Sequence, residues 1–148
     1  MTLVVATDVE YGTVVPLVVH FDDLDAMGIV HNARYAVFLE RALGMWWSAH
    51  GFTLVDGRPS NPDWFHAVAE YSISYRTPVR GTGEIGVHFW LDKMGESSAV
   101  YGFRVVSADG KTVHAEGRRV NIKLDPATLR PAPWTSEGRA TGSLLLRT

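Results

Sequence analysis

The stretch from residue 31 to residue 49 constrains the fold of this chain more than any other. Most of its residues are good helix formers. Apolar side chains recur on nearly every side of the helical wheel: Tyr35, Ala36, Val37, Phe38, Leu39, Ala42, Leu43, Met45, Trp46 and Trp47. A helix that is apolar almost all round is buried, and Gly51 marks its end. The sequence therefore predicts one long helix that the rest of the chain covers on several sides.

Strand-like segments account for most of the remaining chain. Five segments are rich in β-branched and aromatic residues, as strands are: residues 14–21, 66–75, 85–91, 99–106 and 113–122. Pro16 predicts an edge position or a strand start for the first of them, and Asp109-Gly110 is a hairpin signal. The simplest arrangement is α+β, a curved antiparallel sheet of about five strands wrapped around the one long central helix. Open sheet edges predict a partner subunit.

The length of 148 residues indicates a single domain, 1–148, since a chain of this size forms one sizeable core. We place that core at about 14–125 and expect an irregular tail over 126–148, because the tail carries Pro131, Pro133 and two glycines. Leu144 to Leu146 are the tail residues that we expect to dock on the core.

Charge and cysteine content exclude several classes of protein. The net charge of −2 argues against bulk attraction to nucleic acid or to an anionic membrane. With no cysteine, the chain has no disulfide, thiolate metal site or cysteine nucleophile. The opening residues lack the basic region and apolar run of a signal peptide, and no run is long enough to span a bilayer. The expected location is cytoplasmic.

The segment HFDDLDAMGIVHNARY, residues 20–35, is where we expect chemistry. Three carboxylates, Asp22, Asp23 and Asp25, precede Gly28, and the helix begins a few residues later. A helix N-terminus offers unpaired backbone N–H groups with positive dipole character. An acid beside such donors can attack a carbonyl, or activate water against it, while the N–H groups stabilise the oxyanion. Acyl transfer is thus possible here without serine, cysteine or metal.

The order and spacing of several short motifs resemble the 4-hydroxybenzoyl-CoA thioesterase family of hotdog-fold proteins. The pattern is Asp25-x-x-Gly28-x-Val30-x-Asn32-x-x-Tyr35, then Phe38, Glu40 and Arg41, then Tyr75 to Pro78, Met94-Gly95-x-x-Ser98 and Ala115-x-Gly117. The resemblance covers roughly residues 14 to 125 and implies a hotdog fold. It also implies that two subunits pair their sheets and bind an acyl thioester at the interface.

Carried over by position, the resemblance assigns roles in the first motif. Asp25 becomes the catalytic carboxylate, as nucleophile or as general base; the backbone N–H of Asn32 polarises the thioester carbonyl; and Gly28 lets the backbone pass close to the substrate. His31 and Tyr35 are candidates for assisting roles. His31 departs from the usual family residue and either assists proton transfer or lines the pocket. Asp22 and Asp23 are interpreted as turn or capping residues.

Other side chains have both a structural and a functional interpretation. Glu40 is a second acid, better explained by a salt bridge with an arginine. Trp46, Trp47, Trp64 and Phe65 either line an acyl pocket or pack the core. Basic residues that can contact the phosphates of coenzyme A are Arg76, Arg80, Arg118, Arg119 and Lys123, with Arg76 and Arg80 as the assigned pair. The histidines and acids of residues 20–31 match no known metal-ligand spacing, so no metal is expected.

The expected function is hydrolysis of an acyl-CoA or acyl-carrier-protein thioester to the free acid and thiol by a homodimer or tetramer. Coenzyme A enters only as part of the substrate, and no cofactor is expected. One alternative is a non-catalytic hotdog module that binds an acyl or aromatic ligand. Another is a dehydratase of hydroxyacyl thioesters; the downstream strands lack the histidine and carboxylate motifs of such enzymes.

Overall fold

The computed structural model describes residues 4–148. Residues 1–3, part of the opening stretch considered above for a signal peptide, lie outside the described residues. The main feature is a five-stranded antiparallel sheet in the order β1-β5-β6-β7-β4. Its strands are β1 (Thr13–Val19), β4 (His66–Tyr75), β5 (Gly83–Met94), β6 (Ser98–Ser107) and β7 (Val113–Lys123). Two further strands of two residues each, β2 (Leu54–Val55) and β3 (Arg58–Pro59), form a separate hairpin.

The sequence prediction of five strands is confirmed, and β4 has the predicted bounds. Pro16 lies in β1, an edge strand of the sheet, where its missing N–H costs no ladder bond on the open side. Gly110, with φ +76°, occupies the turn between β6 and β7. Strands β5 and β7 extend beyond their predicted limits, since charged and polar residues at their ends still pair with neighbouring strands.

Helix α1 (Arg34–Ala49) has 16 residues and packs on one face of the sheet. Five of its side chains are buried, Tyr35, Phe38, Leu39, Ala42 and Leu43. The expectation of a helix covered on several sides is wrong for the single chain, because Met45 is 52% exposed and Glu40 and Arg41 face solvent. One five-stranded sheet covers only one side of a helix, so the remaining apolar surface stays open.

The C-terminal tail is more regular than the sequence prediction of an irregular segment. It contains α2 (Ser136–Gly142), capped by Thr135, whose side chain accepts a hydrogen bond from Gly138 N. The predicted docking of the last leucines is confirmed at Leu145, which is buried, and at Leu146, which forms a bridge with Leu91. No helix within residues 4–148 has the length and apolarity needed to cross a membrane.

Candidate active site

The loop between β1 and α1 is a tight turn built around Asp25. Its two sides meet in a bridge between Leu24 and Val30, and Asp25 N donates to Ile29 O at 2.8 Å. The loop is tied to the segment before β5, since Val30 N donates to Val79 O at 2.9 Å and Gly81 N donates to Gly28 O at 2.9 Å. Backbone hydrogen bonds from two directions therefore fix the position of Asp25.

The carboxylate of Asp25 is held through one of its two oxygens. Oδ1 accepts hydrogen bonds from Met27 N at 2.8 Å and from Ile29 N at 3.4 Å. Oδ2 has no donor among residues 4–148, and the residue is half-buried. This arrangement is an Asx turn. It orients the side chain and leaves one oxygen available to a substrate or a water molecule.

Gly28 supports this turn through its backbone conformation. Its φ of +74° lies in the left-handed region, which side chains with a Cβ rarely adopt. A Cβ at this position would meet no atom within 4 Å. The glycine is therefore needed for the turn and not for packing against the chain, and the space beside it is open to a ligand.

The residues just before α1 leave one backbone amide free. His31 N donates to Asp23 O at 2.9 Å, Arg34 N donates to His31 O at 2.9 Å, and Ala33 N donates to His31 Nδ1 at 3.1 Å. The N–H of Asn32 has no acceptor among residues 4–148. An unpaired N–H at the positive end of a helix is suited to bind a carbonyl oxygen or an oxyanion.

The imidazole of His31 thus caps the helix entry, while its other nitrogen stays exposed. Tyr35 is buried in the core. This burial is the main reason why the pKa of its hydroxyl is raised. A phenol with a raised pKa is a poor base at neutral pH. Of these two candidates for assisting roles, the exposed His31 is nearer in sequence to the free amide.

The other two acids of the loop hold it to the helix. Asp23 is 2% exposed, its Oδ2 accepts from His20 N at 2.8 Å, and its Oδ1 lies 3.3 Å from Arg34 Nε. Asp22 is exposed and lies 3.5 Å from Arg34 Nη2. These contacts support the interpretation of Asp22 and Asp23 as structural residues.

Tyr75 is a residue at this site to which sequence reasoning gave no role. Its hydroxyl donates to the carbonyl of Asn32 at 3.1 Å, and its ring meets Tyr35 edge-on at 5.2 Å. The period-2 pattern of β4 places Tyr75 on the same side as Ile73, but sequence alone does not show that this side ends beside the start of α1.

The basic residues assigned to coenzyme A lie in different environments. Arg80 is exposed and its backbone pairs with Ile29 of the loop. Arg76 is exposed and its Nε lies 3.7 Å from Glu116 Oε2. Two further candidates are not available to a phosphate: Arg119 is buried and paired with Glu40, and Lys123 is buried, with Nζ 2.6 Å from Asp63 Oδ1. Both lie on the core side of β7, where a charge needs an internal partner.

The pairing of Glu40 with Arg119 confirms the interpretation of Glu40 as a salt-bridge residue. Among the aromatic candidates, Trp47 and Trp64 line a cavity at the far end of α1, and Phe65 is 42% exposed. Trp46 packs edge-on against Trp47 at 5.1 Å. Residues 4–148 contain no group of three or more histidine, aspartate or glutamate side chains positioned to hold a metal ion.

Known proteins resemble this chain in sequence and in fold. Residues 27–114 match the thioesterase superfamily. The acyl-CoA thioester hydrolase YbgC of Escherichia coli is 27% identical over 119 residues, which cover 78% of this chain and 84% of that protein. A Thermus thermophilus thioesterase, solved in complex with coenzyme A and zinc, is 27% identical with a TM-score of 0.69, covering 89% of this chain and 92% of the other. A Pseudomonas aeruginosa protein has a TM-score of 0.80 at 22% identity, covering 94% of both chains.

Proposed function

The chain belongs to the thioesterase superfamily, and we propose that it hydrolyses acyl-CoA thioesters to a free acid and coenzyme A, with Asp25 as the catalytic carboxylate. The observation that carries this proposal is that two suitable groups lie on the same short loop. Asp25 has a fixed carboxylate with one free oxygen, and Asn32 has a backbone N–H without an acceptor among the described residues.

In the proposed reaction, the thioester carbonyl oxygen accepts a hydrogen bond from Asn32 N–H, which stabilises the charge that develops on this oxygen. By one route, Asp25 Oδ2 attacks the carbonyl carbon, the carbon–sulfur bond breaks, and water hydrolyses the resulting anhydride. By the other route, Asp25 takes a proton from a water molecule that attacks the same carbon. Both routes release coenzyme A as a thiol after proton uptake, and neither uses a cofactor or a metal.

Contacts to coenzyme A are proposed for Arg80 and Arg76. Arg80 is exposed directly beside the loop. Arg76 already has the carboxylate of Glu116 nearby, which competes weakly with a phosphate for its guanidinium group. Arginine forms bidentate hydrogen bonds with phosphate. The names of the Escherichia coli and Thermus thermophilus relatives support coenzyme A over a carrier protein as the thiol. We place the enzyme in the cytoplasm as part of the same proposal.

A homodimer is proposed through the edge of β4. This strand is ten residues long and lies at the end of the sheet opposite β1, where its outer side pairs with no strand among residues 4–148. An open edge of this length invites pairing with a second strand, and symmetric pairing of two β4 strands closes the β4 edge of each subunit. A tetramer would add contacts elsewhere. Sedimentation velocity measures the state directly, and a monomer at micromolar concentration contradicts this part.

The assay for the proposed function is thiol release from a panel of acyl-CoAs of increasing chain length. We expect release above the uncatalysed rate for at least one acyl chain. The contrary result is tight binding of acyl-CoAs without release. It would favour a non-catalytic ligand-binding module, in which the Asx turn of Asp25 serves only the shape of the loop.

A further inference from the structure

A partly enclosed cavity lies at the end of α1 remote from Asn32. Its interior is about 60 Å³, between the C-terminal half of α1, the strands β6 and β7, the segment before β4 and the C-terminal tail. Five aromatic side chains line it: Trp47, Phe52, Trp64, Tyr101 and Trp134. The cavity therefore offers an apolar environment inside one chain.

Gly44 keeps part of this cavity open. It lies within α1, where glycine is less favourable than alanine, and it lines the cavity. A Cβ at this position would meet no atom within 4 Å. Close packing therefore does not require a glycine here, and the chain leaves the space beside it unfilled.

Three polar side chains of the wall carry a donor without an acceptor among residues 4–148. The carboxylates of Glu40 and Asp63, which also line the cavity, are paired with Arg119 and Lys123. Trp64 Nε1 is buried and has no hydrogen-bond partner within the described residues 4–148. The Tyr101 hydroxyl accepts from Trp47 Nε1 at 3.0 Å, but its own hydrogen has no acceptor among residues 4–148. Asn121 is similar: Oδ1 accepts from Arg119 Nε at 2.9 Å, while Nδ2 has no acceptor in the same residues. Buried donors are normally paired, so a ligand oxygen would complete Trp64 Nε1, the one buried polar side-chain atom without a hydrogen-bond partner among residues 4–148.

One face of β4 connects the catalytic loop with this cavity. At one end Tyr75 bonds to the carbonyl of Asn32, and at the other end His66 lines the cavity. Between them, Tyr71 stacks on the buried Phe103 at 5.9 Å and Val68 pairs with Asn121, so both belong to the same face. Their exposures of 38% and 50% leave an apolar strip open along the strand.

The length of this strip can be estimated in two ways. Along α1, Arg34 and Glu40 are six residues apart, which corresponds to about 9 Å along a helix, and Asn32 lies two residues before the helix start. Tyr75 and Tyr71 are four residues apart, which corresponds to about 13 Å along a strand. Arg119 pairs in register with Tyr71 and bonds to Glu40, so both estimates end at the mouth of the cavity. An extended chain covers about 1.2 Å per bond, so the strip spans roughly ten bonds.

We propose that this cavity binds the far end of the acyl group, and that it selects acyl chains longer than about ten bonds with an oxygen atom at the tip. The proposal rests on the proposed function, because the distance is measured from the amide of Asn32. The aromatic wall accommodates the methylene groups, and the donors of Trp64, Tyr101 and Asn121 bind the terminal oxygen.

The oxygen preference is tested with two thioesters of equal length, ω-hydroxytetradecanoyl-CoA and pentadecanoyl-CoA. Trp64→Phe removes the N–H together with part of the indole ring. Because the lost packing affects both thioesters alike, the ratio of their kcat/KM values reports the loss of the N–H. We expect the ratio of their kcat/KM values, hydroxylated over plain, to fall about 3- to 10-fold, as for loss of one hydrogen bond. Trp46→Phe, which changes a tryptophan that does not line the cavity, is the matched control and keeps the ratio. An unchanged ratio in Trp64→Phe overturns the oxygen preference.

The position of the acyl end is tested by filling the cavity. Gly44→Leu introduces a good helix former, and we expect the ratio of kcat/KM for pentadecanoyl-CoA over butanoyl-CoA to fall at least 10-fold. Calorimetry with S-pentadecyl-CoA, a thioether that cannot be hydrolysed, separates this proposal from the proposed function. Weaker binding of this thioether to Gly44→Leu supports the cavity even where no acyl-CoA is hydrolysed, and equal binding overturns it.

Discussion

The hydroxyl of Tyr75 donates a hydrogen bond to the carbonyl of Asn32 at 3.1 Å, and so links the end of β4 to the residue whose N–H is free. Tyr75 does not need to touch the substrate to affect the reaction. It holds the peptide that follows Asn32 and limits the movement of the helix entry. Because an oxyanion donor acts only when it is correctly oriented, this bond is expected to contribute to the rate.

We therefore predict that Tyr75→Phe lowers kcat about 3- to 10-fold, the effect of losing one hydrogen bond, and changes KM less. Steady-state kinetics with the best acyl-CoA of the panel provide the measurement. Tyr11→Phe is the control, because the Tyr11 hydroxyl also takes part in one side-chain hydrogen bond, accepted from Arg104 Nη1 at 3.2 Å, and its ring packs on His88 and Trp90 and not on the catalytic loop. Equal kinetics for both variants would exclude a positioning role for Tyr75.

The role of Asn32 is predicted to belong to its backbone and not to its side chain. Asn32→Ala keeps the N–H and should retain kcat within about 3-fold, since the side chain has no bond in the described part of the chain. Asn32→Pro removes the N–H and should lower kcat by about 10²- to 10³-fold, the cost of one oxyanion donor. Circular dichroism checks that both variants fold. A large loss in Asn32→Ala would show that the amide side chain takes part.

Asp23 is predicted to stabilise the fold, in contrast to its neighbour. Asp23→Ala removes a buried acceptor of His20 N and a partner of Arg34, so we expect the free energy of unfolding to fall by about 2–3 kcal/mol. Asp22→Ala removes an exposed ion pair and should cost less than about 0.5 kcal/mol. Urea unfolding of the two variants gives both values. Similar values for the pair would contradict the structural role of Asp23.

His88 is predicted to make stability depend on pH below neutrality. Burial has the largest effect on the pKa of His88 in the folded chain and lowers it. The positive charges of Arg104 and Arg147 lower this pKa further, whereas the hydrogen bond to Tyr11 O at 2.9 Å raises it. The unfolded chain, with an ordinary histidine pKa near 6.5, therefore binds the proton first. This contribution to the free energy of unfolding is present above pH 6.5 and is lost as the pH falls.

Urea unfolding between pH 7.5 and 5 measures this dependence. His88→Gln, which keeps a donor at this position and does not titrate, should show a flatter profile than the wild type. A His88→Gln profile as steep as that of the wild type would assign the pH dependence to other groups.

Patterns in the sequence predicted the helix and the strands well. They predicted contacts between residues far apart in the chain less well. The predicted bounds 66–75 match β4 at both ends, but a register shift between Val68 and Glu70 interrupts the alternation of its side chains. In β7, alternate side chains face the core, and these include Arg119, Asn121 and Lys123. Charged and polar residues normally indicate a solvated face, so the sequence does not predict this burial. Their partners, Glu40 and Asp63, lie in other elements, and only the folded chain shows the pairing.

Two boundaries also depended on contacts that the sequence does not reveal. Helix α1 begins at Arg34 and not at residue 31, because the backbone and imidazole of His31 bond to Arg34 N and Ala33 N in a turn. The tail forms α2 despite two glycines, since Asp63 accepts from Thr135 N at 3.0 Å and fixes the helix start. The choice of Asp25 among three acids rested on its spacing to Gly28, and the Asx turn gives that spacing a physical basis.

The most direct test of the proposed mechanism is the kcat/KM of Asp25→Asn for the best acyl-CoA substrate. Asparagine keeps an oxygen that can accept from Met27 N and Ile29 N, so the loop is preserved while the charge is removed. The catalytic role of Asp25 predicts a loss of at least about 10³-fold, since neither attack nor proton removal is then possible. A variant that folds normally and retains more than about one tenth of the wild-type kcat/KM would contradict it.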